Sequence, residues 1–170
     1  MQTFYEIHDK ANVGIGQHQQ IFDDFFPYMK QSLGYDKPVS VYFLSDTKNS
    51  ENPLGKTGYY NPAKHSISVY ADGRHIKDVL RSVAHELVHH TQNCRGEFEK
   101  EMDTSPGYAL KDGPLWDMEK EAYSLGNQCF RRWEDTYKMK HDLFEWKKKE
   151  LMFLLIEKFT GTSDKMREIL

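Results

Sequence analysis

The chain has 170 residues, with 23 Lys and Arg against 26 Asp and Glu, a formal net charge of −3. That length fits one domain with a sizeable core, and the near balance of charge excludes a global nucleic-acid footprint. Aromatic residues make up 14% of the chain, which argues for a packed interior and against disorder.

Two cysteines, Cys94 and Cys129, are too few for a disulfide-stapled secreted scaffold. They are expected as two free, buried thiols. The start, MQTFYEIHDK, lacks the basic and then apolar pattern of a signal peptide. The longest apolar run, LMFLLI at 151–156, is too short to span a bilayer. The expectation is a soluble cytoplasmic protein that uses neither membrane nor nucleic acid, with a monomer as its simplest state.

In chain order, Ile21, Phe22, Phe25, Phe26, Met29 and Leu33 recur at helical spacing, so 17–33 reads as a helix within an N-terminal helical part, 1–37. Pro27 warns of a kink or an early end, and Gly34 suits a stop. PVSVYFLSD, 38–46, is β-branched and aromatic and reads as a strand. Residues 57–73 read as two strands around an Asn-Pro turn, which gives a sheet region of 38–73. A helix is expected over 75–93, an irregular stretch over 95–113, and one or two helices over 114–160. Helix, strands and then helices predict a single α+β domain with its helices gathered on one side of a small sheet.

RSVAHELVHH, 81–90, carries His85-Glu86-x-x-His89. At about 100° per residue, Ile76, Leu80, Val83, Ala84 and Leu87 form one apolar face. His85 and His89 lie on the opposite side, roughly 40° apart, with Asp78, Arg81, Ser82 and Gln92. Two imidazoles one turn apart can share one metal ion, and Zn²⁺ suits nitrogen ligands with one position left for water. Glu86 sits at the edge of that stripe, within reach of the water without being a ligand. The bland alternative is a helix that merely carries histidines.

A catalytic zinc needs a third protein ligand. The tenth position from His85 is Arg95, so the metzincin histidine is missing. No cysteine precedes position 94, so a deformylase-like ligand is missing too. WDMEKEAYSLGN, 116–127, offers carboxylates on a second helix, with Ala122 and Gly126 small enough for close approach.

With HELVHHTQ and EAYSLGN in this order, residues 38–127 resemble the gluzincin group of zinc metallopeptidases. Together with FRRWED they are also similar to small zincins of tailed phages. The resemblance implies a zincin-like fold, with a small mixed sheet packed on an active-site helix and a glutamate helix and with flanking helices. It implies one Zn²⁺ per chain held by His85, His89 and Glu121. Glu119, roughly 200° from Glu121 around the helix, is the second candidate and cannot share its face. The aspartate that gluzincins often carry four residues after the ligand is Leu125 here. Asp117, Asp78 or a backbone carbonyl would then orient the imidazoles.

The activity so implied is hydrolysis of a peptide or protein substrate, with Glu86 as general base. Tyr108, and after it His75, would stabilise the oxyanion, whereas Tyr123 and His90 read as packing or surface groups. The strand at 65–71 would pair with an extended substrate. A zinc hydrolase of a non-peptide amide and a metal-binding protein without turnover are the alternatives. Lys138, Lys140 and Lys147 to Lys149 are interleaved with acids and read as a solvated, salt-bridged helix.

Overall fold

A computed structural model describes residues 4–12, 14–52, 55–99 and 113–160. The chain divides into two compact units, Met1–Trp133 and Glu134–Leu170. The first holds β1 (Tyr5–Asp9), α1 (Ile15–Leu33), β2 (Val39–Leu44), the single turn α2 (Thr47–Ser50), β3 (Gly58–Asn61), β4 (Ser66–Tyr70) and α3 (Ile76–Cys94). A 3-10 turn, Glu97–Glu99, follows, and then α4, Pro114–Thr160, begins. The mixed α+β character is as expected.

The four strands form one mixed sheet in the order β1-β2-β4-β3. β1, β2 and β4 run parallel, and β3 is antiparallel to β4. Register then sorts the side chains. Val39, Val41, Phe43, Ile67 and Val69 share one face, and all are buried. Ser40, Tyr42, Ser66 and Ser68 share the other. There Tyr42 stacks on His8 at 4.4 Å and carries Lys10 5.1 Å above its ring.

The apolar face is covered by helices. Phe22, Phe25, Phe26 and Met29 of α1 are fully or almost fully buried. Phe22 stacks on Phe43 of β2 at 5.7 Å, and Phe26 on Tyr5 of β1 at 4.3 Å. Burying four such side chains contributes on the order of 6–12 kcal/mol of transfer free energy, offset by chain entropy. Pro27 does not end the helix. It lies on the exposed side, where the carbonyl that it leaves unpaired can meet water. Gly34 ends it, at φ 76, where its N–H reaches the Lys30 carbonyl at 2.8 Å.

α3 lies against the same face through β3 and β4, as the edge-on contact of Tyr60 with His90 at 5.6 Å illustrates. α4 then packs on α3 at Gly126. A Cβ there would stand 3.1 Å from the Cα and 3.2 Å from the N of His85. Ala122, one turn earlier, is fully buried. The expected close approach of a second helix is therefore real, and it centres on the first motif histidine. Trp133 closes this layer, edge-on to Phe25 at 4.9 Å, with its indole N–H donated to Asp24 at 2.9 Å.

Two expectations need correction. Residues 5–9 form a strand, not part of an N-terminal helical region. The strand at 66–70 is interior, because β2 inserts beside it by a parallel crossover. The edge strands are β1 and β3, and β3 is the one beside β4. Among the described residues, Cys94 and Cys129 are free, Cys129 buried and Cys94 half-buried. No helix among these residues is long and apolar enough to cross a membrane.

The second unit carries α4 onward to Thr160. Lys138 pairs with Glu134 one turn away at 2.7 Å, as expected of a salt-bridged helix. Met139, Leu151, Met152, Leu154 and Leu155 are exposed along it.

Candidate metal centre

His85 and His89 lie on α3, which is held by its apolar face and capped at its start by the His75 ring, which accepts from the Lys77 N–H at 3.2 Å. That contact puts His75 at the far end of α3, about 15 Å from His85 and about 21 Å from His89 along the helix. It is a helix cap and not an oxyanion donor.

The Nε2 atoms of His85 and His89 are 3.2 Å apart. The carboxylate of Glu119 joins them, one oxygen 3.5 Å from His85 Nε2 and the other 3.3 Å from His89 Nε2. These three side chains are the group of potential ligands that the fold brings together among the described residues. Ligands of a tetrahedral zinc at ~2.0–2.1 Å stand about 3.3–3.4 Å from one another. The three observed separations straddle that value, and a His₂Glu set fits a catalytic zinc.

Glu121, the ligand expected from the resemblance, is elsewhere. Its carboxylate takes a forked pair from Arg95 Nη2, at 3.0 and 2.8 Å, and a bond from Gln92 Nε2 at 2.9 Å. The reason is angular. Gly126 marks the line of closest approach to His85. Glu119 lies seven residues earlier and only about 20° off that line, whereas Glu121 is roughly 140° away. Tyr123, one turn after Glu119, lies on the same side, its ring 4.6 Å from that of His85. The heptad relation of Glu119 to Gly126 was the available signal.

The electrostatics favour a positive charge at the centre of this cluster. The two imidazoles hold the Glu119 carboxyl far below the usual carboxylate range. Burial alone would lower His89, but Glu119, Gln92 and Glu86 outweigh it and raise it. A proton on an imidazole, or a cation in its place, can lie between the two ring nitrogens and the carboxylate.

Glu86 lies beside the cluster and outside it. It is 6% exposed, and burial raises its carboxyl, partly opposed by the two imidazoles. Such a group takes up a proton more readily than a surface glutamate. A Cβ on Gly58 would stand 3.4 Å from Glu86 Oε1, so the β3 edge passes directly over the base. The cluster opens into a cleft of about 500 Å³, walled by Tyr59, Tyr60, Phe98, Leu115, Met118 and Tyr123.

The orienting partner of His89 is also new. Its Nδ1 is 2.8 Å from Gln92 Oε1. Neither Asp78, which pairs with Arg81 at 3.5 Å, nor Asp117, exposed in the first turn of α4, takes that place. Gln92 was legible only as a polar residue three positions after His89. His90 is a core residue, fully buried, and is bonded to Lys37 O and Tyr60 OH, each at 3.0 Å. Tyr108 lies outside the described residues.

No protein-family model, no curated protein and no solved structure matches this chain.

Proposed function

We propose that the chain is a zinc-dependent metallopeptidase, with the ion held by His85, His89 and Glu119. The convergence of these three ligand atoms at zinc-like spacing, beside a buried carboxylate that is not a ligand, carries the reading. A purely structural site has no use for such a base and favours four protein ligands.

A zinc ion held there would acidify a bound water towards pKa ~7 and polarise a carbonyl. Glu86 takes the proton of the attacking water as its oxygen adds to the amide carbon. It then hands a proton to the amine as the C–N bond breaks, leaving a carboxylate and a free amine. The antiparallel edge of β3, from Gly58 to Asn61, offers unpaired backbone groups to an extended peptide, in place of the strand at 66–70. An open cleft along an edge strand suits a peptide better than a small amide.

The test is a peptide-library digest read by mass spectrometry. The wild type is expected to cleave, and Glu86→Gln is expected to retain zinc and leave the library intact. Zinc binding without any cleavage by the wild type would overturn the peptidase reading and favour a metal-binding protein.

A further inference from the structure

The cleft has two unlike ends, and the elements around it fix which is which. β3 runs alongside α3 in the same direction. At its start Arg74 donates to the Thr57 carbonyl at 3.3 Å and to Ser82 Oγ at 2.8 Å, which holds Thr57 beside Ser82. Gly58 then passes over Glu86. Tyr60 reaches His90 at 3.0 Å and accepts from Asn93 at 2.8 Å. α4 runs the opposite way, with Met118 bonded to Gln92 at 3.0 Å and Gly126 against His85.

Past His89 the cleft is apolar. Phe98 stands edge-on to His89 at 6.5 Å and to Tyr60 at 6.0 Å, and Leu115 and Met118 line the same cleft. Before His85 it is polar, with Arg81, Ser82 and Asn127. Arg81 is the one lysine or arginine that lines the cleft among the described residues. Its guanidinium lies 5.6 Å from the centre of the Phe130 ring, and it pairs with Asp78 at 3.5 Å. Both partners of that pair are half exposed. Such a pair is weak competition for a carboxylate that can take the guanidinium fork.

A peptide added to the β3 edge pairs best antiparallel. Its N-terminal part then lies at the Tyr60 and Phe98 end, and its C-terminal part at the Ser82 and Arg81 end. Arg81 stands one turn, about 6 Å, before His85 along α3. An extended peptide advances about 3.4 Å per residue, so Arg81 meets a group about two residues past the scissile bond.

We infer that Arg81 determines specificity by taking a carboxylate on the C-terminal side of the scissile bond, from an acidic side chain or from the end of the chain, while Phe98, Leu115 and Met118 take an apolar side chain on the N-terminal side. The cleavage rests on the peptidase reading above. The recognition rests on the two ends of the cleft.

The probes are acetyl-Ala-Ala-Leu-Ala-Xaa peptides, with Glu, Gln or Lys as Xaa and a free or an amidated end. Calorimetry on zinc-loaded Glu86→Gln gives their dissociation constants, and the wild type gives kcat/KM. The Glu amide, the Gln free acid or both are expected to bind and be cleaved about 10-fold better than the Gln amide. Which of the two gains names the source of the carboxylate. Arg81→Gln, in either background, should bring the ratio close to one with zinc content unchanged. Arg81→Glu should favour the Lys amide instead, a reversal that a merely structural role would not produce. A ratio near one without the Arg81 substitution overturns the inference. So does a ratio that Arg81→Gln keeps, or failure to bind any of the peptides. Binding that discriminates through Arg81 with no cleavage sinks the peptidase reading and leaves the recognition standing, whereas cleavage without discrimination does the reverse.

Discussion

His89 and His90 are neighbours on α3, both buried, yet they meet opposite surroundings. His90 looks towards β3 and the chain before β2, where each ring nitrogen has one complementary partner and burial lowers its proton affinity. His89 looks into the cleft, where one ring nitrogen is satisfied by Gln92 and the other is pressed against a second imidazole and a carboxylate. A histidine with two satisfied nitrogens is part of a core. One whose second nitrogen faces another imidazole and a carboxylate is placed to hold a proton or a metal ion there. The residue type is the same on both sides, and the partner of the second nitrogen decides the role.

The comparison is broken most severely through the chemistry beside His89. Glu86→Gln removes the base without touching the three ligands. Peptide hydrolysis is expected to fall by about 10²–10⁴-fold with zinc content unchanged, as general-base losses do. Steady-state cleavage assays beside metal analysis check both halves.

The next effect comes from the packing that brings α4 to the His89 side. Gly126→Leu places a side chain where even a Cβ stands 3.1 Å from His85 Cα. Overpacking of this kind costs about 1–3 kcal/mol or more. Urea unfolding should show that loss, together with weakened zinc binding, because Glu119 rides on the displaced helix.

The smallest effect sharpens the His90 side. Burial depresses the proton affinity of His90, opposed by the Lys37 carbonyl and by Asp36, while His65 and Lys37 also disfavour charge. The folded form therefore resists a proton that the unfolded chain accepts near pH ~6.5. This contribution to stability is complete above that pH and is lost as pH falls towards the lowered folded value, by at most about 1.4 kcal/mol per pH unit. Denaturant titrations should show a shallower decline in His90→Gln than in the wild type between about pH 6.5 and 5, with zinc binding retained in the variant.

Much of this molecule is legible in its sequence where the pattern is local. The periodicity of Phe22, Phe25, Phe26 and Met29, the Val-rich strand and the small residues Ala122 and Gly126 each act on their nearest turn or face. What escaped is non-local. β1 is short and half-exposed, and it is a strand because β2 pairs with it. β4 looks like an edge until the parallel crossover sets β2 beside it. The choice between Glu119 and Glu121 depends on which face of α4 meets α3. A Glu-Ala dipeptide does not encode that, and the heptad step to Gly126 does. Gln92 carries no motif, because its role exists only once Met118 and Glu121 stand on its other side.

The most direct measurement is zinc per chain by mass spectrometry for the wild type, Glu119→Ala and Glu121→Ala, each shown to be folded by circular dichroism. About one zinc in the wild type is expected. Glu119→Ala should bind on the order of 1,000-fold more weakly, if one ligand in three carries roughly a third of the ~10–16 kcal/mol typical of a zinc site. Glu121→Ala should still bind, within about 100-fold of the wild type. Zinc retained in Glu119→Ala and lost in Glu121→Ala, or no zinc in any of the three, would contradict the site drawn here.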